Sequence, residues 1–173
     1  MMRKVKNHDE LRVIVRDLKA AGKKIVFTNG CFDILHTGHS RYLQMAKSYG
    51  DILIVAVNSD ESVRRIKGEK RPIMPQAERA EMLASLAVVD YVTVFEEGDP
   101  GRVIAELMPD VLVKGGDWAV EEIVGRDIVE TGGGKVYSIP YIEGASTTGI
   151  IERILEKYAP GTHGLQGLSC KGD

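Results

Sequence analysis

Residues 25–39 read Ile25-Val26-Phe27-Thr28-Asn29-Gly30-Cys31-Phe32-Asp33-Ile34-Leu35-His36-Thr37-Gly38-His39. The first three are a short apolar run with two β-branched members and predict a strand. From Gly38 to Tyr49 the apolar spacing is helical, so the stretch between is a polar loop joining a strand end to a helix start. Working outward, further short apolar runs at 52–57, 91–95, 111–113 and 136–139 predict four more strands. Between and after them, helical spacing recurs at 59–66, 76–86, 102–108, 122–131 and 147–158. Upstream, Leu11, Ile14, Val15 and Leu18 mark a leading amphipathic helix over 9–21, with Asp9 placed to cap it and Gly22 to end it. Strands apolar on both faces that alternate with helices call for a parallel sheet covered on each side, a doubly wound α/β fold with five strands. Ligands of such sheets bind beyond the carboxyl ends of the strands, so the loops after Thr28, Asn58, Lys114 and Ile139 are expected to share one site.

The bulk properties narrow the class. At 173 residues and 43% hydrophobic content the chain supports one core. The expected division is a domain over 1–158, leading helix included, and a flexible, Gly-rich tail over 159–173. A formal net charge of -2 excludes the broad basic field of non-specific nucleic-acid binding, so anion binding should be focal. Cys31 and Cys170 have neither metal-ligand spacing nor the number for a disulfide framework, which predicts a reducing, cytoplasmic setting and no protein-held metal. No apolar run approaches the roughly 20 residues of a membrane span, and no export signal is expected.

The loop carries the chemistry. A helix N-terminus offers unpaired N–H donors and partial positive charge, Gly38 permits close backbone approach, and the imidazoles of His36 and His39 can donate to phosphoryl oxygens. One such histidine alone is an ordinary loop residue; two at a strand-to-helix junction suggest a phosphate site. Asp33 reads either as a substrate ligand or, preferably, as a holder of backbone donors in the loop. Asn58 and Asp60 follow the second strand, and Lys67 and Arg71 lie in the basic run 64–71, which in isolation would be a solvated loop. After the fourth strand, Lys114, Gly115, Gly116, Asp117 and Trp118 combine a turn, a carboxylate acceptor and an apolar wall. Ser146, Thr147 and Thr148 open the last helix, as an N-cap, as a phosphate cradle, or as both.

The decapeptide GCFDILHTGH, residues 30–39, resembles the GxFDxxHxGH signature of the cytidylyltransferase-like nucleotidyltransferases, a superfamily with a Rossmann-like fold. The resemblance implies that His36 and His39 contact nucleotide phosphates and stabilise the pentacoordinate transition state at the α-phosphorus. It implies ATP as co-substrate, with Asn29, Gly30, Cys31, Phe32, Gly38, Lys114, Gly115, Asp117, Ser146, Thr147 and Thr148 around it, and Mg²⁺ bridging the triphosphate. Asp33, Asn58, Asp60, Gly116 and Trp118 fall to the second substrate, while Lys67, Arg71 and Arg79 grip phosphates. The attacking group is then a phosphate oxygen, which needs no side-chain nucleophile. Within the superfamily, NSDESVRRIKGEKRPI, VLVKGGDW and EGASTTGIIERI resemble the heptose 1-phosphate adenylyltransferases over about residues 11–158. This implies transfer of AMP to D-glycero-β-D-manno-heptose 1-phosphate for lipopolysaccharide core synthesis, small-molecule partners only, and a homodimer. Glycerol-3-phosphate cytidylyltransferase is the neighbouring alternative, with MGDDW where this chain has KGGDW. A nucleotide-binding module without turnover is a third reading. A dinucleotide binder is disfavoured, since G-x-G-x-x-G does not follow the first strand.

Overall fold

The computed structural model describes residues 2–116, 118–140 and 144–159. The elements in chain order are α1 (His8–Ala20), β1 (Ile25–Gly30), α2 (Thr37–Lys47), β2 (Ile52–Asn58), α3 (Asp60–Lys67), α4 (Gln76–Ser85), β3 (Tyr91–Phe95), α5 (Gly101–Leu107), β4 (Val111–Gly115), α6 (Arg126–Thr131), β5 (Lys135–Ile139) and α7 (Thr147–Tyr158). The five strands form one parallel sheet in the order β3-β2-β1-β4-β5. The chain therefore winds one way from β1 to β3 and the other way from β4 to β5. The point of reversal lies between β1 and β4, where doubly wound sheets open a crevice.

Alternation along each strand divides the core into two layers. Val26, Val55, Val57, Val111 and Val113 pack with Leu43 and Ala46 of α2 and with Ala80, Leu83 and Ala84 of α4. Ile25, Phe27, Ile54, Ala56 and Leu112 face the other way, onto Leu11 and Val15 of α1 and onto Val103, Ile104 and Leu107 of α5. Each fully buried Val, Leu, Ile or Phe among them contributes about 1.5–3 kcal/mol. Tyr42 ties α2 to the sheet: its hydroxyl bonds the Thr28 hydroxyl and donates to the Val113 carbonyl oxygen at 3.1 Å.

Several expected boundaries move. Asn7, not Asp9, caps α1: its side chain accepts from Glu10 N at 2.8 Å and Glu10 Oε2 accepts from Asn7 N at 3.1 Å, which starts the helix at His8 and leaves Asp9 in its first turn. β1, β2 and β4 run on through Gly30, Asn58 and Gly115, because a parallel ladder pairs backbone whatever the side chain. The expected helix 122–131 is divided into a 3-10 turn, Val120–Glu122, and α6 by Gly125 at φ +89°, where a Cβ would come 2.4 Å from Ile104 Cδ1. The N-terminal segment adds an element that periodicity did not reveal: Val5 bridges Val92 at the edge of β3, and Lys4 Nζ donates to Leu86 O and Val89 O. Of the expected tail 159–173, positions from 160 onward lie outside the described residues.

Candidate functional site

His36 occupies the N-cap position of α2 with extended backbone and no capping side-chain bond, so the first amides of that helix keep their donors. Its ring stacks on that of His39 at 3.9 Å between centroids and 21° between planes. The edge of Phe32 meets His39 at 5.3 Å. The Nδ1 atoms of both histidines are buried and have no hydrogen-bond partner. Burial pushes both imidazoles toward the neutral form. For His39 the pKa falls to about 4, with His36 adding to the effect and Asp33 opposing it. Gly38 makes the stack possible, since a Cβ there would lie 2.9 Å from the His36 ring and 3.1 Å from Ala145 Cβ. The same contact brings the start of α7 against the start of α2. Ser146 caps α7 by accepting from Gly149 N at 3.0 Å, which leaves Thr147 and Thr148 in the open first turn.

A second group of polar residues, close by in the chain, is saturated. Asp33 accepts from Ile73 N at 2.9 Å, Met74 N at 2.8 Å and Arg71 Nε at 2.6 Å. Burial alone would raise its pKa, but the Met74 and Ile73 amides and the Arg71 guanidinium outweigh it and hold the carboxyl below its ordinary range. Arg79 has a side chain that is 0% exposed and donates to Met74 O at 2.9 Å, Cys31 O at 2.6 Å and Asp60 Oδ1 at 2.7 Å. Ser59 caps α3, and Asp60 also receives Arg79 while its amide donates to Gln76 Oε1 at 2.9 Å. Asp33 and Arg79 thus clamp the segment 71–74 to the β1 loop, and each nitrogen of the Arg79 guanidinium has a protein acceptor.

The remaining site residues line the strand ends. Asn29 Oδ1 lies 3.4 Å from Lys114 Nζ. Asn58 Nδ2 donates to Ser62 Oγ at 3.0 Å. Burial pushes the Cys31 thiol up against the pull of Lys67, Arg79, Lys114 and Arg71, which makes it a poor thiolate. Lys67 is exposed on the last turn of α3. Gly115 packs its open side on the Tyr42 ring, Gly116 takes φ +126°, and Trp118 is 47% exposed beside them. Asp117 lies outside the described residues. Tyr42 was not singled out by sequence reasoning, and its helical spacing one turn after His39 was the available signal. A separate concavity of about 420 Å³ between Lys4, Ile14, Ile52 and Asp90 opens at the amino ends of the strands, away from these residues.

Among the described residues no group of three or more His, Cys, Asp or Glu is placed to hold a metal ion, and both Asp33 oxygens are engaged.

The fold and this rim define the class: an α/β protein of the doubly wound type, with two helix N-termini and a stacked histidine pair at the crevice of its sheet. The Cytidylyltransferase-like family profile matches residues 27–153, and the chain belongs to that family. The chain is 57% identical over 155 residues to "Bifunctional protein HldE" of Geobacter metallireducens, a match covering 90% of this chain and 32% of that protein. It is 55% identical over 150 residues to the protein of the same name from Nitratiruptor, covering 87% and 32%. The chain thus spans about a third of the length of these relatives. Among solved structures it is similar to a lipopolysaccharide core biosynthesis protein of Thermoplasma volcanium, with TM-score 0.61, 33% identity, and coverage of 70% of this chain and 100% of the other. Pantothenate synthetase of Thermus thermophilus shares the fold, at TM-score 0.57 and 15% identity over 80% and 62% of the two chains.

Proposed function

We propose that the chain transfers AMP from ATP to a sugar 1-phosphate, D-glycero-β-D-manno-heptose 1-phosphate, and releases pyrophosphate. The observation that carries this reading is the stacked His36–His39 pair, with two buried and unpartnered ring nitrogens between the starts of α2 and α7. A buried polar atom without a partner is costly in a resting protein, and a phosphate oxygen that fixes the tautomer and orientation of the rings relieves it. Family membership and the similarity to HldE proteins and to a lipopolysaccharide core biosynthesis protein support the same activity.

On this reading the β- and γ-phosphates rest on the open first turns of α2 and α7, against Gly38, Ser146, Thr147 and Thr148. His36 and His39, neutral at physiological pH, donate hydrogen bonds to the charge that develops at the α-phosphoryl group. Lys67 and Arg71 neutralise the phosphates from the α3–α4 side. The loop backbone at Asn29, Gly30, Cys31 and Phe32 approaches the nucleotide, and Gly115, Gly116, Asp117 and Trp118 take up the hydroxylated parts of the substrates. The acceptor's phosphate oxygen attacks without a general base, because a phosphate monoester is ionised at neutral pH. Catalysis is then positioning and charge stabilisation. Mg²⁺, for which the described residues offer no ligand cluster, would come as the counter-ion of the triphosphate and supply charge neutralisation there. The reading places the enzyme in the cytoplasm, with ATP, as a homodimer. Light scattering of the purified chain tests the oligomer.

Incubation of the purified protein with each nucleoside triphosphate and a panel of sugar 1-phosphates, with products identified by mass, tests the activity. ADP-heptose and pyrophosphate are the expected products. Faster turnover of CTP with glycerol 3-phosphate would replace the adenylyltransferase reading with the cytidylyltransferase one.

A further inference from the structure

Three strands carry a polar residue at or next to their carboxyl end on one face of the sheet. On β1, Ile25 and Phe27 belong to the layer under α1 and α5, and alternation puts Asn29 on that face; on β4, Leu112 leads in the same way to Lys114; on β2, Ile54 and Ala56 lead to Asn58. The 3.4 Å approach of Lys114 Nζ to Asn29 Oδ1 agrees with this placement. The histidine-bearing helix α2 packs on the opposite layer through Leu43 and Ala46. The crevice therefore has two rims, one with the histidines and the helix starts, the other with Asn29, Asn58 and Lys114.

Lys114 is an unusual cation. It is half-buried, and among the described residues it makes no ion pair; its one hydrogen-bond acceptor is the neutral Asn29 side chain. Burial lowers its pKa, against an opposing pull from Cys31 and with a smaller push in the same direction from the charge of Lys67. A half-buried cation held this way is stabilised by an anion that arrives from outside.

In-line transfer needs the attacking and leaving oxygens on opposite sides of the phosphorus. We infer that Lys114 receives the phosphate of the acceptor on the rim opposite His36 and His39, while the ATP triphosphate lies against the histidines. This assignment rests on the nucleotidyl-transfer reading for the direction of attack, but the anion slot itself can be tested without turnover.

The test compares wild type with Lys114→Met and Lys114→Arg by calorimetry and initial rates. Inorganic phosphate and a non-hydrolysable ATP analogue are the binding probes. Expected for Lys114→Met is a 10- to 100-fold rise in KM for the sugar 1-phosphate, the range of a hydrogen bond to a charged group. Phosphate binding should weaken similarly, affinity for the analogue should stay within about twofold, and Lys114→Arg should recover most of the loss. The melting temperature of Lys114→Met should hold or rise, since a half-buried charge without an ionic partner is removed; a merely structural lysine would lower it. The inference is overturned if analogue affinity falls as much as acceptor affinity, if phosphate binding is unchanged, or if wild type binds no phosphate. Should wild type turn over no sugar 1-phosphate yet bind phosphate in a Lys114-dependent way, the slot stands and the proposed activity is what fails.

Discussion

The clamp, in which Asp33 and the Cys31 carbonyl meet Arg71 and Arg79, and the His36–His39 pair both draw on the ten residues 30–39, yet their buried polar atoms are in opposite states. In the clamp every one of them is matched: three donors on Asp33 and three acceptors on Arg79. In the pair, two ring nitrogens are buried with nothing to bond. Native proteins satisfy nearly all buried polar groups, so the matched set reads as scaffold and the unmatched set as a place prepared for a ligand. The segment GCFDILHTGH thus divides, its aspartate holding the loop and its histidines carrying the unmatched atoms on which the proposed chemistry rests.

The largest expected effect attacks the scaffold. Arg79→Met strips Asp60 and two carbonyls of a buried partner and should cost about 3–5 kcal/mol in chemical denaturation, with activity falling as the loop loosens. If stability is unchanged, the clamp is not what fixes the loop. Next, His39→Ala should lower kcat by about 100-fold or more, equivalent to roughly 2.7–4 kcal/mol of transition-state stabilisation, with the melting temperature held. A paired substitution with His36→Ala should fall short of additivity because both serve one transition state. Retained kcat in folded His39→Ala would remove the pair from the chemistry.

Acid titration separates the two regions by window. The pKa of His39 in the folded chain is about 4, below its ordinary 6.5, so the unfolded chain takes the proton first. Its contribution to stability is complete above pH 6.5 and is lost as the pH falls to about 4, and His39→Gln should flatten that part of the curve. Asp33, whose pKa is lowered from 3.8, contributes above that value and fails only in stronger acid, a limb that His39→Gln should leave in place. A curve unaltered by His39→Gln would show that the imidazole is not held neutral by burial. The smallest effect belongs to the cap of α7: Ser146→Ala should destabilise by about 1 kcal/mol and raise KM for ATP more than it lowers kcat.

Much of this was legible in the sequence because it rests on local rules. Strand and helix alternation gave the winding, and the loop's His36, Gly38 and His39 gave the crevice. The preferred reading of Asp33 as a holder of backbone donors is what the Ile73 and Met74 amides display. The burial of Arg79 was hidden, since its three acceptors come from Cys31, Asp60 and Met74, and no spacing rule reports such convergence. The role of Tyr42 was hidden for the same reason: its partners Thr28 and Val113 are on two strands far apart in the chain. Side-chain alternation would have sorted Asn29, Asn58 and Lys114 onto one face, but only if the strands had been extended past their last apolar residue.

The contrast between matched and unmatched polar atoms is tested most directly by nitrogen-detected NMR of the histidine rings, with selectively labelled arginine side chains observed in the same sample, as a non-hydrolysable ATP analogue is added. The His36 and His39 ring nitrogens are expected to shift strongly, with a single tautomer fixed in each, while the Arg79 guanidinium signals stay where they are. Unmoved histidine rings in a protein that binds the analogue, or an Arg79 that changes partners on binding, would contradict that contrast.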